Sequence, residues 1–468
     1  MSNLPILVLQ MQRMGDLVLS FPLLARLRGQ YPDNPIWVTG EEHFFKPLLE
    51  LSPSATYFNY QNAPVAPGLR FHLVLNLSHR PEAAALAGKA ETEELVGPYL
   101  DKEGALRIRG DYQLYRASLT HNNHLNRFHW ADLNSLDVIP TKRMQYTVWP
   151  KPKTPDPARI RAGARIGLFL GASEPAKHPD AAFWTSLTTM LLAEGHKPAL
   201  LGGEAEKPLG HAVASALRAH PLNLCGRFNV EELAAFLGGL DLLITPDTGP
   251  MHVAVWSGTP VLNISVGPVH VWETGPFAPG HHALRAGIEC VGCWRCTRPH
   301  MDCRELLSPG KTARIALDLL HGRIPTPDRA AGCELLQSGR DHLGRYALRS
   351  LFGAEALRDD FSVFWQNFFT TLFSAGDVGA VNRAFAVLAA EHPDAAEAFA
   401  LAGRNLVVDA AKRLKKGGAM LGDDADWWRG FAPEARPLAG YLHMLVQNGD
   451  GVPRRAFEAL ELLMAAWA

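Results

Sequence analysis

"LLITPDTGPMHVAVWSGTPVLNI", residues 242–264, places a polar knot between two apolar runs. The outer runs are short, rich in Leu, Ile and Val, and bounded by turn residues, the pattern of strands buried on both faces. The segment PMHVAVWSG between them reads as a helix, so Asp247-Thr248-Gly249 joins the carboxyl end of a strand to the amino end of a helix. Backbone N–H groups at such a turn have no intrahelical partner, and the helix dipole adds partial positive charge, which suits a phosphate. Gly249 permits close backbone approach, and Pro250 gives up a donor that would be free at the first helical position. Asp247 or Thr248 acting simply as a helix cap fits the same residues.

Outward from this window the alternation continues. RIGLFLGAS, KPALLGG, LNLCG, DLLITPD and VLNISV read as five strands, with helical spacing at 180–194, 206–219, 230–240 and 250–257. Nearer the amino terminus, ILVLQM (6–11), IWVTG (36–40), TYFNY (56–60) and LVLNLS (73–78) read as strands. Helical patterns follow Gly15-Asp16 and fill 41–51 and 81–90, so a parallel sheet covered on both faces is expected. The Pro-rich, charge-mixed stretch PTKRMQYTVWPKPKTPDPAR (140–159) has the composition of a linker. The expected architecture is therefore α/β, with two Rossmann-like domains, 1–150 and 151–325, facing a cleft. Residues 326–468 are Ala- and Leu-rich with breaks near Gly376, Pro393, Gly417 and Pro433, and read as a helical extension. Within it, FSVFWQNFFTTLF (361–373) puts an aromatic stripe on one helical face. A buried packing stripe is the ordinary reading, a lipid or partner surface the alternative.

Composition narrows the function. A chain of 468 residues exceeds one ordinary core, and 47% apolar with 20% charged residues is typical of a packed globular protein. With 46 basic against 47 acidic residues there is no global field for nucleic acid, so any anion site is local. The amino terminus lacks a signal-peptide layout and no apolar run of about 18 residues occurs, so a cytoplasmic protein is expected.

Several ordered segments resemble glycosyltransferase family 9, the heptosyltransferases of lipopolysaccharide synthesis. They are QRMGDLVLSFPLLARLRGQYP, NLSHRPEAAALAGKA, GLFLGASEPAKHPDAAFW, ALLGGEAEKP and the whole run from Gly226 to Pro268, which lie between residues 5 and 322. The resemblance implies a GT-B fold whose first domain takes the acceptor and whose second takes a nucleotide-sugar. It implies inverting transfer of heptose from ADP-heptose to a lipid-linked saccharide of the lipopolysaccharide core. No metal cofactor is implied, and peripheral contact with the inner membrane is.

Inverting displacement needs a base for the acceptor hydroxyl and positive charge for the departing diphosphate. The resemblance makes Asp16 the base, although a helix cap would look the same locally, and a helix start by itself stabilises the carboxylate. Lys177 matches a lysine that meets the leaving phosphate, a role suited to a compact charge; an exposed lysine is the plain alternative. Glu206 falls where the ribose is held, with Glu204 competing. Asp247 would bond the sugar hydroxyls, with Thr248, Gly249, Met251 and His252 near the diphosphate. Arg80 is expected to face an acidic acceptor sugar, since arginine recognises carboxylates bidentately, and Arg13 to contact the acceptor or a phosphate, with a plain surface charge as the alternative. His79, His121, His124, Arg127 and His129 read as a solvated loop. The family usually has a tryptophan soon after the lysine and a Thr-containing turn after Gly267-Pro268, whereas here Pro179 intervenes and Val269-His270-Val271 follows.

Cys290, Cys293, Cys296 and Cys303 in CVGCWRCTRPHMDC have spacing that zinc or an iron–sulfur cluster could use. Comparable segments in family 9 need no metal for transfer, so reduced packing thiols are the default. Two competing functions remain from sequence: a non-catalytic nucleotide-sugar-binding or scaffold protein on the same frame, and a dinucleotide dehydrogenase. The second lacks a GxGxxG after any strand.

Overall fold

The computed structural model describes residues 3–219, 221–290, 292–293, 296, 298, 300–353, 357–374, 376–415, 426–449 and 452–467. Two sheets organise it. The first comprises β1 (Ile6–Leu9), β2 (Ile36–Gly40), β3 (Thr56–Asn59), β4 (Arg70–Asn76), β5 (Glu91–Leu100) and β6 (Leu106–Arg109), in the order β3-β2-β1-β4-β5-β6. All pairs are parallel except β5–β6. The four residues of β1 are fully buried, as a central strand covered by helices on both faces requires.

The second sheet holds β7 (Arg165–Phe169), β8 (Lys197–Leu201), β9 (Leu222–Asn223), β10 (Leu242–Thr245), β11 (Val261–Ser265), β12 (His282–Ala286), β13 (Cys333–Arg340) and β14 (Tyr346–Phe352). Its order is β14-β13-β12-β11-β10-β7-β8-β9. Strand order reverses between β1 and β4 in one sheet and between β7 and β10 in the other. Those reversals leave crevices at the strands' carboxyl ends, where open α/β sheets take ligands.

The helical extension expected over 326–468 is present, but it is not helical from its start. The segment opens with the antiparallel hairpin β13–β14, which lies against β12 and extends the second sheet. Its strands alternate weakly and carry Arg and Ser, so they look like loop until β12 covers one edge. Among the described residues five longer helices follow, Leu357–Ser374, Val378–Glu391, Pro393–Lys415, Arg436–Asn448 and Val452–Ala465. The break expected at Gly417 lies outside the described residues.

The aromatic stripe is a packing stripe: Phe364, Trp365, Phe368 and Phe369 are at most 1% exposed. It meets the first lobe, with Phe369 4.5 Å from Tyr115 and Phe373 4.9 Å from Tyr112 between ring centroids. One continuous apolar core therefore runs through Val18 and Leu24 of the first lobe, Val253 and Val255 of the second, and Phe364 of the extension. The extension is fastened to both lobes. Arg340 and the Tyr346 N–H from the hairpin reach Asp132 of the first lobe, which also pairs with Arg26 at 3.2 Å.

The reading of a solvated loop is corrected for Arg127 and His129, whereas His79, His121 and His124 are exposed. His129 is fully buried, caps the helix Trp130–Leu133 by accepting from the Ala131 N–H, and makes a 3.0 Å bond to the Gly275 carbonyl. The Arg127 guanidinium lies 4.4 Å from the Trp272 ring and pairs with Asp359. This polar segment is the surface on which the second lobe and the extension pack, so its periodicity answers to neighbours absent from its own sequence.

Candidate active site between two helix starts

The loop after β1 turns into the helix Met14–Leu19, and the loop after β10 into the helix Gly249–Trp256. The two helix starts touch. A Cβ added to Gly15 would stand 3.2 Å from the Gly249 Cα and 3.4 Å from His252 Cδ2. Only residues without side chains bring the two backbones so close. The front-lobe carboxylate and the rear-lobe phosphate seat expected from sequence thus share one crevice.

Asp16 is the third residue of its helix, with Arg13 rather than Asp16 at the cap position. Burial pushes the Asp16 carboxyl above the ordinary carboxylate range, against the pull of the Arg116 guanidinium, the Arg13 backbone N–H and the Arg13 charge. Burial therefore outweighs the helix start, and the group is a stronger base than the sequence alone implies. Arg13 is exposed at the rim.

Across the crevice, the Thr274 hydroxyl donates to Asp247 at 2.8 Å. Burial raises the Asp247 carboxyl to about 6, opposed by the Thr274 bond and the Lys177 charge and reinforced by Asp16. Asp247 therefore feels both Asp16 and Lys177, as the spacing of three separate motifs could not reveal. Lys177 ends a short 3-10 turn, Pro175–Lys177, and lies 3.4 Å from Glu174. That turn is pinned twice. Arg304 donates to the Pro175 carbonyl at 2.8 Å, and Gly267, at φ +74°, lets the Ala176 carbonyl approach where a side chain could not fit.

Glu206 and Glu204 are separated by their surroundings. The Glu206 carboxylate leans over Gly171, beyond the end of β7, and accepts from the Gly203 N–H at 2.8 Å. Glu204 is exposed and paired with Lys207 at 2.7 Å. Thr248 and Gly249 stay partly open to the crevice, whereas the Met251 N–H is already bonded to the Thr248 carbonyl at 3.0 Å. His252 is 4% exposed beneath Gly15, its Nδ1 without a partner, and burial lowers its ring to about 3. It is therefore neutral and supplies no fixed positive charge. Arg80, at the carboxyl end of β4, pairs with Glu41 at 2.5 Å and keeps a partly exposed side chain.

Sequence reasoning missed a buried polar chain behind the crevice. Arg116, in the helix Asp111–Ser118, interacts electrostatically with Asp16 on one side and with Glu273 on the other. Glu273, from the second lobe, accepts from Asn123 at 2.8 Å and Asn126 at 3.0 Å, both of the first lobe. Burial raises its carboxyl to about 7 despite those two bonds and Arg116. The one available signal was the His, Asn and Arg richness of residues 112–140.

Two hollows, of about 750 and 1020 Å³, lie on the extension's side and hold none of the expected site residues. Cys290, Cys293, Cys296 and Cys303 are free thiols lining a small hollow beside Gly267, and burial with the neighbouring sulfurs pushes the Cys293 thiol up. Among the described residues, no group of three or more His, Cys, Asp or Glu side chains is arranged to hold a metal ion.

Two doubly wound sheets whose helix starts meet across a crevice define a glycosyltransferase frame of the GT-B type. The structure of E. coli ADP-heptose lps heptosyltransferase II shares this fold, at a TM-score of 0.50 and 17% identity over 68% of this chain and 99% of that one. The sequence model of glycosyltransferase family 9 (heptosyltransferase) matches residues 71–301, and over that stretch the chain is similar to the family. Lipooligosaccharide heptosyltransferase 2 of Campylobacter jejuni is 30% identical over 179 residues, 36% of this chain and 56% of that one. The Haemophilus influenzae protein of the same name is 24% identical over 302 residues, 58% of this chain and 86% of that one.

Proposed function

We propose that this chain transfers a heptose, with inversion, from an ADP-heptose-type donor to a lipid-linked saccharide of the lipopolysaccharide core, at the cytoplasmic face of the inner membrane. In this reading Asp16 removes the proton from the acceptor hydroxyl as that oxygen attacks the anomeric carbon. The diphosphate leaves toward Lys177 and the open N–H groups at Thr248 and Gly249, where positive charge offsets the charge that develops. Glu206 holds the ribose and Asp247 the sugar hydroxyls. Arg13 and Arg80 face an acidic acceptor, Arg80 by exchanging Glu41 for it.

The observation that carries the reading is the contact of Gly15 with Gly249, because it sets a base with a raised pKa beside a helix start. The names of the relatives supply the sugar and the acceptor class. No helix among the described residues is long and apolar enough to cross a membrane, so contact with a lipid-linked acceptor would be peripheral.

Two measurements test it. In a thermal-shift screen of ADP-, UDP- and GDP-sugars, ADP-heptose should raise the melting temperature most, by mass action on the folded state; a response to UDP- or GDP-sugars alone removes the donor assignment. Asp16→Asn should abolish transfer while leaving donor binding nearly intact, and normal turnover by that variant would remove Asp16 from the chemistry.

A further inference from the structure

We infer that Arg116 is a positioning residue for transfer, a buried counter-charge that holds Asp16 ionised when the acceptor enters; this rests on the reading of Asp16 as the base.

The placement of Arg116 is unusual for a cation. It is 9% exposed, yet among the described residues it has no carboxylate within ion-pair distance. Its Nη1 donates to Asn134 Oδ1 at 2.9 Å, its guanidinium lies 4.9 Å from the Trp130 ring, and its buried Nε meets no hydrogen-bond partner among the described residues. Asn134 in turn donates to the Leu19 carbonyl at 3.3 Å, at the far end of the short helix that carries Asp16. Arg116 is thus indexed to that helix through a neutral amide and an aromatic face. Neither neutralises it, so its charge is left to act on Asp16 and Glu273.

The other groups that face Asp16 do not replace it. Arg13 is exposed, where water screens it, and Asp247 from the second lobe repels the Asp16 charge. His252 beneath Gly15 is neutral, and the Lys177 charge acts on Asp247. His79 and Glu273 act on Arg116. A base must lose its own proton before it can take another, and burial alone would keep Asp16 protonated further toward neutrality. The structure thereby combines a raised carboxyl, strong enough to accept a proton, with a fixed cation that stops the rise.

The test titrates Asp16 directly and then through turnover. With aspartate carrying ¹³C at the carboxyl, the Asp16 resonance is assigned by its loss in Asp16→Asn. In Arg116→Met its midpoint should move up by about one pH unit, a shift typical of losing one nearby opposite charge. Arg116→Lys should restore part of that shift, and Asn134→Ala, which frees the guanidinium, should move the midpoint the same way by less. The acid limb of kcat/KM should follow, so that Arg116→Met loses roughly 10-fold at acid pH and recovers toward alkaline pH. An unmoved Asp16 midpoint in both Arg116→Met and Asn134→Ala overturns the inference. So does a loss in Arg116→Met equal at every pH, or one confined to the acceptor KM, which would make Arg116 an acceptor contact. If the resonance moves while Asp16→Asn still turns over, the electrostatic pairing stands and the assignment of the base fails.

Discussion

At Lys177 the geometry asks one side chain for two things. It is 3.4 Å from Glu174 and it acts on Asp247, while its turn is fixed from below by Gly267 and Arg304. A pinned turn bearing a partly exposed ammonium suits a charge needed only as the diphosphate departs, since Glu174 is a weak surface partner that can be released. Lys177→Met should therefore lower kcat by roughly 10²–10³-fold, the usual cost of one lost donor at a developing anion, with little change in donor affinity. Steady-state kinetics over donor concentration would read this, and a rise in donor KM at constant kcat would assign Lys177 to ground-state binding instead. Asp16, Lys177, Glu206 and Asp247 could be proposed from the sequence because each lies in or just after a turn that follows an apolar run, within a segment that resembles a family motif. Arg116, Glu273, Asn123 and Asn126 were not, because their meaning arises only when distant segments meet. Arg116 lies mid-helix in an unremarkable stretch, 100 positions from the Asp16 that gives it a role.

At the scale of elements, the decisive feature is the touching pair of helix starts, and its two glycines are not equivalent. A Cβ on Gly249 would stand 2.7 Å from Met14 Cε, the free end of a flexible side chain that can swing aside. A Cβ on Gly15 would press at 3.2 Å on the Gly249 backbone and at 3.4 Å on the His252 ring, neither of which yields easily. Gly15→Ala should thus move the helix starts apart by a few tenths of an ångström. Misplacement of a reacting group by about 1 Å costs about 10²-fold, so a drop of roughly 10-fold in kcat is expected. Met14→Ala should relieve the clash of Gly249→Ala but not that of Gly15→Ala, and equal behaviour of the two doubles would contradict the asymmetry. The strand and helix order around these turns followed from apolar spacing. The β13–β14 hairpin did not, because its antiparallel pairing is decided by the open edge of β12 and by Arg340 reaching Asp132.

Across the whole molecule, the extension and the polar segment around residue 123 join the lobes that the sequence pattern separates. Glu273 is the titratable part of that junction. Its carboxyl is raised to about 7 from an ordinary value of 4.5, chiefly by burial. The folded state holds the proton more tightly than the unfolded chain, so the stabilisation is complete below about 4.5 and is lost as pH rises through about 7. The buried histidines work in the opposite sense. His129 is lowered to about 4 and His270 to about 3 by burial, so what they contribute is present above the ordinary histidine range and is lost as pH falls. The carboxyl is isolated by difference. The stability of Glu273→Gln relative to the parent should climb between about pH 5 and 7, at no more than about 1.4 kcal/mol per pH unit, and level off above. Calorimetric melting of both proteins in matched buffers measures this. A difference that stays constant with pH would mean that Glu273 is already ionised at the junction, and the proton would then have no part in holding the lobes together.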